Sequence, residues 1–388
     1  MSLPTVEEVH ASAEPTDPTA PRPVTSTPRL ELDVHAAVGA FSALADALPG
    51  TGVHYAVKAN PHPVLLRSLH QAGCRFDVAS PAEVKAALAA GAQPETLVYS
   101  NPVKRRSDIV EAAALGVSLF VVDSPQETRK VAQAAPGSSV LCRLVTSGAG
   151  SDWPLSRKYG VSTAEALDIL LLAAHLGLDP AGVSFHVGSQ QRDPGAWATP
   201  VAASARVFAG LRAYGLRPWL LDLGGGFPAR LAGDEPAVAD YASAIRTALR
   251  ASFGSDLPRT LIEPGRGIVG EAGTVVTSVV EVVDRGGTRW VFLDCGVFTG
   301  LVETLEEAIR YPLRTSRDGG PVGPCVVAGP TCDSADVLYQ NEPRMLPLAL
   351  AEGDEVRIDC AGAYSTCYST VGFNGFDPLP TTLVGQVV

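Results

Sequence analysis

Eight short apolar runs, at 54–57, 76–78, 97–99, 119–122, 140–144, 183–186, 220–223 and 260–262, are separated by helical patterns at 63–72, 81–90, 107–115, 124–134, 163–176, 196–214 and 237–253. Parallel strands need a crossover between them, so this alternation reads as βα units on a parallel sheet. Eight such strands suffice to close a (β/α)8 barrel. An open doubly wound sheet is the competing arrangement of the same units. The 388 residues supply ample core, and 46% hydrophobic against 18% charged residues is the balance of an ordinary globular enzyme.

The texture changes after about residue 267. Segments at 275–284, 289–294, 324–328, 355–360 and 382–387 are β-rich and separated by Gly, Pro and Asp turns, with one helical stretch at 303–310. They predict an all-β domain over 267–388 behind a barrel over 28–266. A first strand near 28–32, followed by a helix at 33–48, is expected to join the β domain. Residues 1–27 are rich in Pro, Thr, Ser, Ala and Glu without period and read as a disordered leader.

A formal charge of −11 argues against nucleic acid and anionic membranes as partners. There is neither an apolar stretch long enough to span a bilayer nor a secretory signal pattern. Seven scattered cysteines without a Cys-x-x-Cys pair fit reduced thiols in a cytoplasmic protein, and no metal site is expected.

The chemistry-bearing residues fall just after predicted strands, where the loops of a barrel converge. In Tyr55-Ala56-Val57-Lys58-Ala59-Asn60-Pro61, β-forming residues lead into Lys58 and Asn60-Pro61 ends the strand. An amine in apolar surroundings with few charged neighbours has a lowered pKa, and a neutral amine attacks carbonyls to form Schiff bases. A lysine snorkelling from a strand end fits the same stretch. Gly224-Gly225-Gly226 follows a strand and offers backbone N–H groups to a phosphate, or simply a tight turn. His186 stands at another strand end, where an imidazole either stacks on a flat ring or fills core, and Ser189 behind it suits a phosphate. Glu263-Pro264-Gly265-Arg266 places a carboxylate in the barrel mouth, fit for a protonated pyridine nitrogen or for an ion pair. Gly329-Pro330-Thr331-Cys332-Asp333-Ser334-Ala335-Asp336 sets a thiol beside two carboxylates. Gly362-Ala363-Tyr364 and Phe373-Asn374-Gly375-Phe376 add aromatics near the C-terminus.

In this order the segments resemble the fold-type III pyridoxal-phosphate enzymes, specifically the ornithine decarboxylase branch in its bacterial form, from about residue 28 to the C-terminus. The resemblance implies pyridoxal 5'-phosphate held by Lys58 as a Schiff base, with Asp77 near the lysine and Arg143 near the phosphate. It implies that His186 stacks on the pyridine ring and Glu263 pairs with the ring nitrogen. Ser189, Gly224, Gly225, Gly226, Arg266 and Tyr364 then hold the phosphate. It further implies a homodimer with shared active sites. Cys332 and Asp333 act in trans, the thiol reprotonating Cα and the carboxylate binding the distal ammonium of a small-molecule amino acid, while Phe373 lines the same pocket.

One departure bears on substrate. The eukaryotic relatives carry an aspartate in a Tyr-Asp-His-Ala segment, and this chain has Glu303-Thr304-Leu305-Glu306-Glu307 there, so Glu306 is expected to replace it, with Glu307 or Glu303 as fallbacks. Diaminopimelate decarboxylases carry Cys-Glu-Ser where this chain reads Cys332-Asp333-Ser334, which favours a cationic side chain such as ornithine or lysine. A racemase on the same barrel takes a tyrosine as its second base, and Cys332 argues against it. A non-catalytic regulator of polyamine synthesis would have lost the lysine, the glycine run or the cysteine. A specialised biosynthetic decarboxylase of another amino acid is the remaining alternative.

Overall fold

The structure, a computed structural model, describes residues 26–155 and 158–385. Nearly all of the expected leader, and the end of the strand expected at 382–387, lie outside the described residues.

The first described elements are β1 (Arg29–Asp33) and α1 (Val34–Ala47), whose first turn is capped by Asp33 accepting from the Ala36 N–H at 3.0 Å. There follow β2 (Thr51–Ala56), α2 (Pro63–Gln71), β3 (Arg75–Val78), α3 (Pro81–Ala89), β4 (Val98–Tyr99), α4 (Arg106–Ala114), β5 (Leu119–Val122), α5 (Pro125–Ala134) and β6 (Ser139–Arg143). After a short β7 (Ser151–Trp153) come α6 (Thr163–His175), β8 (Asp179–Ser184), β9 (Ser189–Gln191), α7 (Ala198–Ala213), β10 (Leu220–Asp222), α8 (Val238–Phe253), β11 (Arg259–Ile262) and the single turn α9 (Arg266–Val269).

Strands β2, β3, β4, β5, β6, β8, β10 and β11 form a closed parallel barrel, shut by pairing of β11 with β2. That closure rules out the open doubly wound sheet. Side chains alternate across each strand. Val53, Tyr55, Phe76, Val78, Phe120 and Ile262 face outward and are buried in the main core with the helices. Val98, Val121, Leu141, Ala181, Leu220 and Leu261 face inward and plug the lumen. Two residues further along, the inward positions turn polar: Ser100, Arg143, Asp222 and Glu263, with Asp77 on β3. The polar layer therefore sits at the C-terminal mouth, above a dry plug.

The remainder is mostly β: β12 (Gly273–Arg285), β13 (Thr288–Leu293), β14 (Leu313–Thr315), β15 (Val322–Ala328), β16 (Val337–Pro347), β17 (Glu355–Ile358) and β18 (Thr381–Val384). These strands and β1 make one mixed sheet. β1 joins it as expected, antiparallel to β12 (Leu30 opposite Val275) and parallel to β18 (Leu30 opposite Thr381). Four features depart from the sequence reading. The pairs β7–β9 and β14–β17 and the strand β16 were not anticipated, because β7, β9 and β14 span three residues each and β16 carries Pro343 within a polar run. The helix expected at 303–310 is a 3-10 segment over Val302–Glu307, broken where Leu305 is extended and Glu306 takes φ 54°. No described helix is long and apolar enough to cross a membrane.

Candidate active site

β2 stops at Ala56 and Val57–Ala59 form a 3-10 turn that lifts Lys58 into the barrel mouth. The turn is pinned from two sides. Tyr55 Oη donates to the Asn60 carbonyl (3.1 Å), Asn60 Nδ2 donates to the Gly362 carbonyl (3.0 Å), and the Tyr364 N–H donates to the Ala59 carbonyl (2.7 Å). Tyr364 keeps a left-handed backbone (φ 62°) in making that contact, a costly conformation for a bulky residue and one that recurs at functional sites. Lys58 Nζ lies 2.5 Å from Asp77 Oδ2, and Ser100 Oγ donates to the other Asp77 oxygen. The Asp77 side chain is fully buried while Lys58 is 43% exposed through the cavity, so the amine is reachable and its counter-ion is fixed.

The expectation that apolar surroundings depress the lysine is corrected here. Withdrawal from water alone would lower its pKa, but the Asp77 carboxylate, with Tyr364 and Glu263 behind it, outweighs that and raises it above the ordinary lysine range. Lys58 without its carbonyl partner is a paired ammonium.

Around it opens a cavity of about 870 Å³ whose walls include Arg143, His186, Ser189, Glu263, Glu306 and Tyr364. His186 follows β8. Burial, then the Arg143 and Lys58 charges, hold its pKa well below that of a free histidine. The imidazole is neutral, and because Nδ1 accepts the Gly188 N–H at 3.0 Å, the proton sits on Nε2. Glu263 is 6% exposed, and burial followed by the Asp222 and Asp77 charges pushes its pKa well up; burial likewise pushes Asp222 up to about 7. Glu263 Oε1 and Asp222 Oδ2 are buried without a partner.

A small recess continues from the cavity between Ser189, Gly226, Arg266 and Tyr364. A Cβ on Gly225 would lie 2.6 Å from the Glu263 carbonyl, and one on Gly226 (φ 107°) 2.5 Å from the Gly188 carbonyl. Only glycine lets the loop run so close. Arg266 is buried, and its Nη2 donates to both oxygens of Glu303 (2.6 Å each), whereas Nε and Nη1 have no partner. Tyr311 Oη also donates to Glu303, at 3.3 Å. A buried polar atom left unpaired costs about 1–3 kcal/mol. A guanidinium edge beside a side-chain-free loop, with an unpaired carboxyl oxygen in the same mouth, fits a flat ring that carries a phosphate and a basic nitrogen.

The Arg266–Glu303 pair yields a first prediction. Glu303→Gln leaves a buried guanidinium uncompensated and is expected to destabilise the protein by about 3–5 kcal/mol and to weaken cofactor retention. Denaturant unfolding and dialysis of the loaded protein measure the two; unchanged values in both would refute this role.

Other predicted residues lie elsewhere. Cys332 and Asp333 are exposed on the loop between β15 and β16, and neither they nor Phe373 line the cavity of their own chain. The Cys332 N–H donates to Asn374 Oδ1 (3.0 Å), Asp333 accepts from the Ala335 N–H (2.9 Å), and Phe373 packs edge-on against Phe298 with centroids 5.2 Å apart. Asp336, the loop's second carboxylate, is buried and structural, accepting from Val297 and Thr331. Of the three glutamates, Glu303 belongs to Arg266 and Glu307 accepts from the N–H groups of Gln340, Asn341 and Glu342. Glu306 lines the cavity with no hydrogen bond or ion pair among the described residues. Sequence reasoning missed Ser100, Asp222 and the wall made by Trp153, Pro154, Leu155, Lys158 and Tyr159. Ser100 and Asp222 were detectable as polar residues ending apolar runs; the wall's only signal was an aromatic-bearing insertion after β6.

The family model for the pyridoxal-dependent decarboxylase, pyridoxal binding domain, matches residues 36–270. The chain is 35% identical over 338 residues to the lysine/ornithine decarboxylase of Selenomonas ruminantium, covering 87% of this chain and 84% of that protein. The lysine/ornithine decarboxylase of Vibrio vulnificus, solved with cadaverine, superposes with a TM-score of 0.84 at 34% identity over 94% of this chain and 96% of that one. The arginine decarboxylase of Paramecium bursaria Chlorella virus, solved with agmatine, gives 0.85 at 27% identity over 92% and 98%. The matched span holds Lys58, His186, Glu263 and Arg266 together, and the chain thus belongs to the fold-type III pyridoxal-phosphate-dependent decarboxylases of the ornithine/lysine branch, enzymes that act on basic amino acids.

Proposed function

We propose that the chain decarboxylates L-ornithine, L-lysine or both, releasing the diamine and CO2. Glu306 carries this reading: it is an uncommitted carboxylate on the wall of the Lys58 cavity, and a distal ammonium is the partner it lacks. Pyridoxal phosphate, when bound, supplies the electron sink that accepts the pair left behind by departing CO2.

The protein's own residues do the rest. Lys58 would anchor the cofactor, and Asp77 holds the charge of its free ammonium. Glu263 would pair with the ring nitrogen and His186 would support the ring, both from the wall of the Lys58 cavity. Ser189, Gly224 to Gly226, Arg266 and Tyr364 hold the phosphate, with Arg143 beside it. In a homodimer the partner chain contributes its own copies of Cys332, Asp333 and Phe373: the thiol returns a proton to Cα, the carboxylate shares the distal ammonium with Glu306, and the ring closes the pocket. The exposure of Cys332 and Asp333 on their own chain, and the place of all three outside its cavity, support that division.

Replacing the distal ammonium by hydrogen tests the reading. A site built to pair a carboxylate with the distal ammonium rejects such an analogue, so kcat/KM for L-norleucine is expected to fall at least about 10³-fold below that for L-lysine. Glu306→Gln should raise KM for L-lysine about 10- to 100-fold, the worth of a hydrogen bond to a charged group, with little change in norleucine turnover. Equal rates for the two substrates in the unmodified enzyme would overturn the proposal. Ornithine and lysine differ by one methylene, worth about 1–3 kcal/mol, so both belong in the same assay.

A further inference from the structure

The barrel has a second mouth. Beneath the apolar plug, where β2, β3, β10 and β11 begin, lies a cavity of about 430 Å³ at the far end from Lys58. Strand alternation delivers three nitrogen-bearing side chains to it. Arg75 sits two residues before Asp77, and Arg259 two before the plug residue Leu261. His54 lies directly across from Arg75 in the β2–β3 register.

Both arginines are exposed and the histidine beside them is buried. Among the described residues neither guanidinium has an ion-pair partner; Arg259 lies over the Trp219 ring, 5.4 Å from its centroid, which leaves the edge of its fork open. His54 is 4% exposed, and its Nδ1 is buried without a hydrogen-bond partner. Burial, then the Arg75 charge, against the opposite pull of Asp77, brings its pKa down to about 4, so the ring is neutral. Two cations therefore face one lining carboxylate, Glu95, in a chain of net charge −11. Gly52 lines the same cavity, and a Cβ there would lie 3.3 Å from His54 Nε2. The exposed guanidiniums are solvated, so the buried imidazole is the group that packing leaves unsatisfied, and an anion held between the two arginines meets it as well as both cations.

We propose that this N-terminal cavity binds a small organic oxyanion, a carboxylate or a phosphate compound, between the guanidiniums of Arg75 and Arg259 with the His54 Nδ1–H as a third donor. The site is separate from the decarboxylation site and does not rest on its substrate.

Calorimetric titration of the cofactor-saturated holoenzyme, whose own phosphate recess is filled, tests this with inorganic phosphate and with succinate as separate probes. One site per chain is expected for at least one probe, and the tighter probe assigns the head group. The double variant Arg75→Gln, Arg259→Gln should bind at least about tenfold more weakly, a difference of about 1.4 kcal/mol, with kcat/KM for decarboxylation unchanged. The histidine ring signals in the NMR spectrum of the unmodified holoenzyme give a readout independent of variant folding: the His54 signal should move on saturation. No binding of either probe up to about 10 mM, the weak end of specific affinity, undiminished binding by the double variant, or binding that leaves the His54 signal in place would each overturn the proposal.

Discussion

Lys58→Ala is expected to reduce decarboxylation at least about 10³-fold, the scale of losing the nucleophile proposed to anchor the cofactor. The residue is set on a turn that Tyr55, Asn60 and Tyr364 hold rigid, against a carboxylate that is itself fixed by Ser100. Removing the amine therefore leaves the surrounding geometry in place, and Asp77 is left buried without its cation. The measurement pairs product formation with the visible absorbance that the protein retains after dialysis, both of which should fall. A variant with normal turnover would show that another group anchors the cofactor. Asp77→Asn probes the same pair from the other side: without the carboxylate, withdrawal from water is left to dominate and the raised pKa of Lys58 should drop.

Cys332→Ala should slow amine formation about 10²- to 10⁴-fold, as expected for a lost general acid, without loss of bound cofactor, because Lys58, Arg266 and the glycine loop proposed to hold the cofactor are untouched. The sharper test is to mix it with Lys58→Ala. If each site takes Lys58 from one chain and Cys332 from the other, random reassortment makes half the dimers mixed, each with one intact site in two. About a quarter of the unmodified activity should then return. Two inactive variants that exchange subunits and recover nothing would refute the shared site.

The fold was readable because a barrel strand must alternate. Tyr55, Phe76 and Phe120 pack against helices while Val98, Val121 and Leu261 fill the lumen, and that two-sided demand leaves apolar runs that stand out from helical stretches. Lys58, His186 and Glu263 were legible for the same reason: each is a polar residue at the end of such a run. What escaped was set by partners distant in the chain. The raised pKa of Lys58 comes from Asp77, 19 residues away on the next strand. Nor does a local pattern distinguish Glu303, committed to Arg266, from Glu306, committed to nothing; their separation depends on the break at Leu305 and Glu306. The anionic preference of the N-terminal mouth was equally hidden, because Arg75, His54 and Arg259 meet only when the barrel closes.

One measurement bears most directly on decarboxylation at Lys58. Purified holoenzyme is given L-ornithine, L-lysine, L-arginine, meso-diaminopimelate and the D-forms in turn, and CO2 and amine are both quantified. Putrescine or cadaverine in one-to-one yield with CO2 is the predicted result; racemised amino acid without CO2, or bound cofactor with no turnover of ornithine or lysine, would contradict it.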